Sequence, residues 1–341
     1  MVDPAIRALF GPPPSDINLA ASNVSVNNGA VIAMACVAVV ALILRFTARV
    51  LLRNALLADD WAIIAALLCI GGTTGLSVAG GTVGAGRHVW AVTLEELVHL
   101  YKLLFAYTFL YASAGTCTRL SILFFYRRIF SPLELSLRVA LICGGFLTLG
   151  YPIIVWVTMS TSCRPLSFFW TQFSGTQGEC IDINTFFLAA GILNMLNDFV
   201  LLVIPFPRIV RLHMTVQKKV AICAIMAVGI FVCVASIVRI HYLSVFMHAL
   251  DVTWLMGPVF IWSTIEPAVA IVCACLPHLA PLAQLAHRSI LGSLHSETHT
   301  GPPSRQSRQR PLKRNADDEV GLTTYPNRSR STLRNTQSRT T

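Results

Sequence analysis

Three ionisable residues interrupt otherwise apolar stretches of this chain: Arg119, Asp198 and Glu266. An ionisable side chain at bilayer depth is costly, so each one marks a candidate site by default. Two carboxyls brought together could work as a general acid and its partner, which makes Asp198 and Glu266 a catalytic candidate pair. An arginine facing an aspartate inside a bundle could instead act as a conformational lock, or could fix helix packing and do no chemistry. Asn194 precedes Asp198 by one helical turn on the same face, and Asn197 adjoins it, so amides accompany the charges. From the residues alone all three readings stay open.

The elements that position these side chains are long and apolar. Seven stretches, near 29–48, 61–83, 103–126, 137–160, 184–206, 220–243 and 254–276, are each long enough to cross a bilayer, which takes about 20 mostly apolar residues. The chain carries only 12% charged residues and a mean hydropathy of +0.65, against about 25% charged residues in a soluble domain. The runs are continuous, as in AIIAALLCIGGTTGLSVAGG (62–81), where a membrane barrel would alternate apolar and polar residues. In lipid such runs must satisfy their own backbone, so they are helical. An all-α, seven-helix membrane bundle follows. Counted from the external ends at about 1.5 Å per residue, the three charges lie roughly 18–24 Å deep, close enough in level to meet inside the bundle.

The net charge of +10 is distributed on alternate loops, which argues topology and against a nucleic-acid partner. One set holds Arg45, Arg49, Arg53, Arg127, Arg128, Arg138, Arg208, Arg211, Lys218 and Lys219, with a basic tail from Arg288 onward. The other holds Arg7, Arg87, Lys102, Arg164 and, at a helix end, Arg239. An N-terminus outside and a cytosolic C-terminus are expected, in the plasma membrane or an endomembrane. The first span, following a polar lead without a basic start, reads as a signal anchor. Eight of the ten cysteines fall inside spans, where they serve as small apolar residues. Cys163 and Cys180 bracket a loop on the expected outer side, where disulfides persist, and a bridge between them is predicted.

Residues 1–28 form a short external leader in which Asn23-Val24-Ser25 is a glycosylation sequon. Residues 277–291 suggest a short amphipathic helix along the inner surface. The tail 292–341, rich in Ser, Thr, Arg, Gln and Pro, cannot bury a core and is expected to be disordered. On the outer side Arg87, His88, Trp90, Glu95, Glu96, His99, His241, His248, Asp251 and Trp254 form a second polar group. It is read as an interfacial aromatic belt with loop charges, and no metal is expected. The glycines of GTVGAGRH (81–88) follow a membrane helix on the outer side and make no phosphate loop. No lysine follows a glycine as a nucleotide-binding motif requires, and none lies inside a span, which excludes a retinal Schiff base. No cofactor is expected.

Several ordered motifs then point to a family. They are Asp59-Asp60-Trp61, Gly86-Arg87-His88 with Trp90, RLSILFFYRRIF (119–130), the Cys163 and Cys180 loop and LNMLNDFVLLVIPFP (193–207). FVCVASIVRI (231–240, with Arg239), Thr253-Trp254 and IWSTIEPAVAIVCACLP (261–277) complete the set. Over about residues 30–283 the chain resembles the fungal rhodopsin-domain integral membrane proteins, the family of the satratoxin-cluster membrane protein and the Pth-type receptors. The resemblance implies a receptor- or sensor-like protein without retinal, taking a small hydrophobic ligand and meeting a cytosolic signalling protein at its basic loops and tail. The alternative it implies is a membrane-embedded component, enzyme or accessory, of a secondary-metabolite pathway. The leader has no cysteine, so the cysteine-rich external domain of some Pth-type receptors is not expected.

Overall fold

The computed structural model describes residues 2–53, 55–129, 135–207 and 216–296, with side chains left out at 129, 216–225 and 280–296. Seven of its helices are long and apolar enough to cross a membrane. They are α2 (Val24–Leu51), α3 (Ala58–Thr82), α4 (Leu94–Ile129), α5 (Leu135–Ser160), α7 (Ile183–Val203), α8 (Val216–His248) and α9 (Val252–Ser296). Two short helices, α1 (Pro4–Phe10) and α6 (Phe168–Thr171), and a two-residue strand pair, β1 (Cys163–Arg164) with β2 (Glu179–Cys180), occupy the end of the bundle that carries the chain's start.

Three helices start where a carboxylate satisfies orphan N–H groups. Asp3 caps α1 by accepting from Ala5 N, with Pro4 as the first helical residue. Asp182 caps α7, accepting from the Asn184 and Thr185 amides. The Thr185 hydroxyl and amide hold the Asp182 carboxyl below its usual range. At α3 the Asp60 carboxylate reaches back to the Leu57 N–H at 3.0 Å.

Neighbouring helices pack in chain order, α2 on α3, α3 on α4, α4 on α5, α5 on α7 and α7 on α8. The ring closes through α9, whose Ala268, Ile271, Ala274 and Cys275 join Ala38, Leu42, Ile63, Ala66 and Ile70 of α2 and α3. Of the α9 span 61% is buried, against 22–39% for the others, so α9 is the interior helix. Close approach of α9 to α2 needs Gly257, where a Cβ would collide with the Asn27 side-chain amide. The outer faces are apolar instead of polar: Phe146, Leu68, Ile153 and Val157 are among many exposed large hydrophobics. A soluble monomer rarely exposes such a surface, and lipid is what covers it.

One expectation changes and two segments gain detail. Within the leader, Ile6 of α1 is fully buried against Val89, Trp90 and Leu97. Residues 277–291 continue α9 without a break; the side chains there from 280 on, those of Lys218 and Lys219, and the whole of Arg208, Arg211 and the tail 297–341 lie outside the described residues. Arg45 and Arg49 are no loop charges. They lie inside α2, 0% and 2% exposed, because two aspartates of α3 neutralise them there.

Candidate functional site

Midway through the bundle, α4, α7, α8 and α9 each supply at least one side chain to a single buried polar network. Arg119 of α4 donates from Nε to Asp198 Oδ1 at 2.7 Å and from Nη2 to Asn194 Oδ1 at 2.8 Å. Its Nη2 also stands 3.7 Å from Glu266 Oε1. Asn194 Nδ2 donates to the same Glu266 oxygen. Tyr111 donates to the Glu266 carboxylate at 3.0 Å, and Ser236 of α8 donates to Asp198 Oδ2 at 3.1 Å. Asn197 accepts from Thr148 of α5 at 3.3 Å and touches neither carboxylate by hydrogen bond.

Arg239 belongs to this network and not to a helix end. The sixth span runs on to His248, which puts Arg239 two turns inside it and only 6% exposed. Its Nε is 2.9 Å from Glu266 Oε2, and its guanidinium lies over the Tyr111 ring at 4.8 Å. Two arginines thus face two carboxylates, and the set is neutral as a whole. Neutrality and dense hydrogen bonding are what make buried charges tolerable. Several donors are still unpartnered: Arg119 Nη1, Asn197 Nδ2, and both Nε and Nη2 of Arg239, whose Nε–H is not directed at the nearby carboxylate.

Two cavities flank the network along the bundle. The first, about 60 Å³, lies toward the end that carries α1 and is lined by Tyr107, Phe186, Phe187, Phe246, Met256 and Phe260, with Arg239 and Tyr111 at its floor. The second, about 50 Å³, lies on the other side and meets Arg119, Asp198, Glu266 and Tyr111. Tyr111 lines both. Each arginine sits beside a glycine: a Cβ at Gly191 would come 3.5 Å from Arg239 Nη2, and one at Gly115 would come 3.1 Å from Arg119 Nη1.

A second ionic set closes the bundle end opposite α1. Arg45 donates to Asp60 (2.8 Å), Asp59 (2.5 Å) and the Ala274 carbonyl (2.7 Å), and so ties α2 to α3 and α9. Arg49 pairs with Asp59 (2.9 Å) and Asp60 (3.0 Å), His278 approaches Asp59 at 3.4 Å, and Ser121 of α4 donates to the Asp59 carbonyl. Trp61, the third residue of that motif, is 64% exposed and faces outward.

At the α1 end the polar group read as a loose aromatic belt is a joint. His88 Nδ1 pairs with Asp251 Oδ2 at 2.5 Å, its ring stacks on Trp254 at 4.2 Å, and Asp251 Oδ1 accepts from the Val89 N–H. Gly86, at φ +92° where a side chain would be strained, donates to the Thr253 carbonyl and accepts from Asn23 N. Arg87 contributes its carbonyl, which accepts from the Thr253 hydroxyl. Asn23 sits half-buried at the start of α2. Cys163 and Cys180 are disulfide-bonded. Among the described residues no three metal-binding side chains cluster.

Tyr111, Ser236 and Arg239 are the members that sequence reasoning missed. Tyr111, Gly115 and Arg119 recur every four residues, one face of α4, and that spacing was the available signal. Arg45 and Arg49 share the same i, i+4 pattern just before Asp59-Asp60.

Seven apolar helices around a buried, charge-balanced network define a polytopic membrane protein. The fungal rhodopsin domain model matches residues 44–285. The chain belongs to that family. Among its relatives, an SAT4 family membrane protein of Emericella nidulans is 30% identical over 71% of this chain and 61% of its own length. A polyenoic acids biosynthesis gene cluster protein, Ba17b, of Metarhizium anisopliae is 26% identical over 76% of this chain and 73% of its own. Receptor GIN3 of Arthrobotrys oligospora is 26% identical over 63% of this chain and 52% of its own. The chain thus spans roughly half to three quarters of these relatives' lengths. No solved structure matches it at a significant level.

Proposed function

We propose that this chain is a receptor-like membrane protein that binds a small apolar ligand in the aromatic cavity and signals through the Arg119–Asp198–Glu266–Arg239 network. The observation that carries the reading is the position of that network: it is the floor of one cavity and the roof of another, with Tyr111 shared. A ligand that moves Arg239 or Tyr111 therefore acts directly on pairs that bind α4, α7, α8 and α9 together. A set of paired charges with more than one neutral arrangement is the kind of bistable element a switch requires. The relative named a receptor supports this reading.

The orientation follows the charge distribution: the disulfide loop and Asn23 face outward, and a cytosolic partner meets the basic end. Asp198→Asn, which loosens the lock without removing helix contacts, is expected to raise basal output in a yeast reporter strain carrying a chimeric G-protein α subunit. A reporter that stays flat while the variant is folded and at the surface refutes the coupling.

The pathway reading has its own support in the relatives named for biosynthetic clusters, Ba17b and the Fugralins cluster protein of Gibberella zeae. Within the site, Asp198 and Glu266 as acid–base catalysts are disfavoured, since each carboxylate is paired with an arginine and a general acid must hold a proton. Deletion in the native host with metabolite profiling separates the two: loss of one product family with unchanged signalling favours a pathway component.

A further inference from the structure

We propose that the cavity nearest α1 takes lipophilic carboxylic acids, with Arg239 binding the carboxylate; this deepens the ligand-pocket reading above and rests on it. The walls are aromatic and aliphatic: Tyr107, Phe186, Phe187, Leu243, Phe246 and Phe260. Such walls select an apolar body by burying it. The floor holds one strong donor. Arg239 is 6% exposed and lines the cavity; its Nη2 makes no hydrogen bond, and its Nε faces only Glu266 Oε2, at 2.9 Å but outside hydrogen-bond geometry. Those two N–H groups share one edge of the planar guanidinium, which is the edge that grips a carboxylate with two parallel bonds. Nη2 is reached past Gly191, a cavity residue whose missing side chain leaves the space open. Lysine or histidine would present no such fork.

Size and position shape the ligand further. At about 60 Å³ the cavity holds a head group and a few carbons, less than the drug-sized pockets of roughly 300 Å³ and more. Phe186, Phe187 and Ala190 of α7 and Met247 of α8 are half-buried at the bundle's lipid-facing side. Charge balance adds a consequence. The network is neutral before the acid arrives, so the incoming carboxylate competes with Glu266 for Arg239. Binding at the cavity and rearrangement of the lock become one event.

The test uses the full chain in nanodiscs, with tritiated dodecanoic acid and its methyl ester as probes and empty nanodiscs subtracted. The acid is expected to bind about 10- to 100-fold tighter than the ester, the range for one charge-assisted bidentate contact. Arg239→Gln should erase that difference. Gly191→Ala guards against a folding artefact, because its methyl group meets Ile240, Arg239 and Leu243 at ordinary contact distances of 3.4–3.6 Å. It should weaken the acid and spare the ester. Glu266→Gln removes the competing carboxylate and should tighten the acid. Equal binding of acid and ester, unmoved by Arg239→Gln or Gly191→Ala, overturns the carboxylate site and leaves an apolar ligand pocket standing. No saturable binding of either probe overturns the proposal, while the reporter experiment with Asp198→Asn still decides the switch on its own.

Discussion

Replacing Asp198 by Asn and Arg119 by Gln, singly and together, measures whether the network is one unit. At an effective dielectric of about 20, opposite unit charges attract by roughly 6 kcal/mol at the 2.7 Å of Arg119–Asp198 and by roughly 4.5 kcal/mol at the 3.7 Å of Arg119–Glu266. Asp198→Asn therefore leaves Arg119 with a second carboxylate only slightly further away. Its cost belongs at the lower end of the range for a broken buried pair, about 3 kcal/mol. Arg119→Gln leaves Asp198 with Ser236 as its remaining described donor, while Glu266 keeps Arg239. That loss belongs at the upper end, about 5 kcal/mol. The double variant replaces the ion pair by two neutral amides that still hydrogen-bond, so it should lose about 4–5 kcal/mol, short of the sum by about 3–4. Denaturant titration in mixed micelles, followed by tryptophan fluorescence, reads all three. Additive losses, or an Asp198→Asn variant less stable than Arg119→Gln, refute the reasoning.

Other consequences are checked one at a time. Arg45→Lys removes a fork that holds Asp59, Asp60 and the Ala274 carbonyl together; we expect a loss of about 3 kcal/mol, larger than for Arg49→Lys, in the same titration. Gly257→Ala drives a methyl group into the Asn27 amide and should cost about 1–3 kcal/mol. Asn27→Ala in the same chain should recover part of that loss. Cys163 and Cys180 should react with an impermeant maleimide on intact cells only after reduction; labelling without reduction argues against the bond, and no labelling after reduction argues against the outward loop. Treatment with an N-glycosidase should speed the gel migration of wild-type chain and leave Asn23→Gln unmoved.

The bundle was legible because lipid imposes a single demand on every span, and hydropathy reports it directly. The spans read at 61–83, 137–160 and 184–206 end within a few residues of α3, α5 and α7. Where the reading ran short, the cause was charge. The sixth span was ended at 243 and Arg239 read as a helix-end charge because an arginine normally marks a membrane boundary, whereas here Glu266 and the Tyr111 ring carry it inside. Arg45 and Arg49 were counted as inward-facing loop charge for the same reason, and a count of single residues cannot see partners on another helix. Depth along α4, α7 and α9 put Arg119, Asp198 and Glu266 at one level. The sharing of Glu266 between two arginines depends on rotation of α8, which no periodicity in the apolar run Val232–Ile237 specifies.

The two ionic sets differ in a way that separates structure from switching. At the end opposite α1, the two arginines donate to both aspartates and the Ala274 carbonyl, and among the described residues Arg49 Nε and His278 Nδ1 are the unpartnered nitrogens of the set. Any movement there breaks bonds without replacing them, which is the behaviour of a clamp. In the central set Glu266 is shared by Arg119 and Arg239, and both arginines keep unused donors beside a glycine and a cavity. Glu266 stands between the two arginines, and the adjoining cavities give the side chains room to shift. A rearrangement that conserves charge and needs no new space has a low barrier even in a medium where separating ions is costly. On the receptor reading proposed above, the central set is the part suited to switching, and the Arg45–Asp59–Asp60 set is the part suited to holding α2, α3 and α9 together.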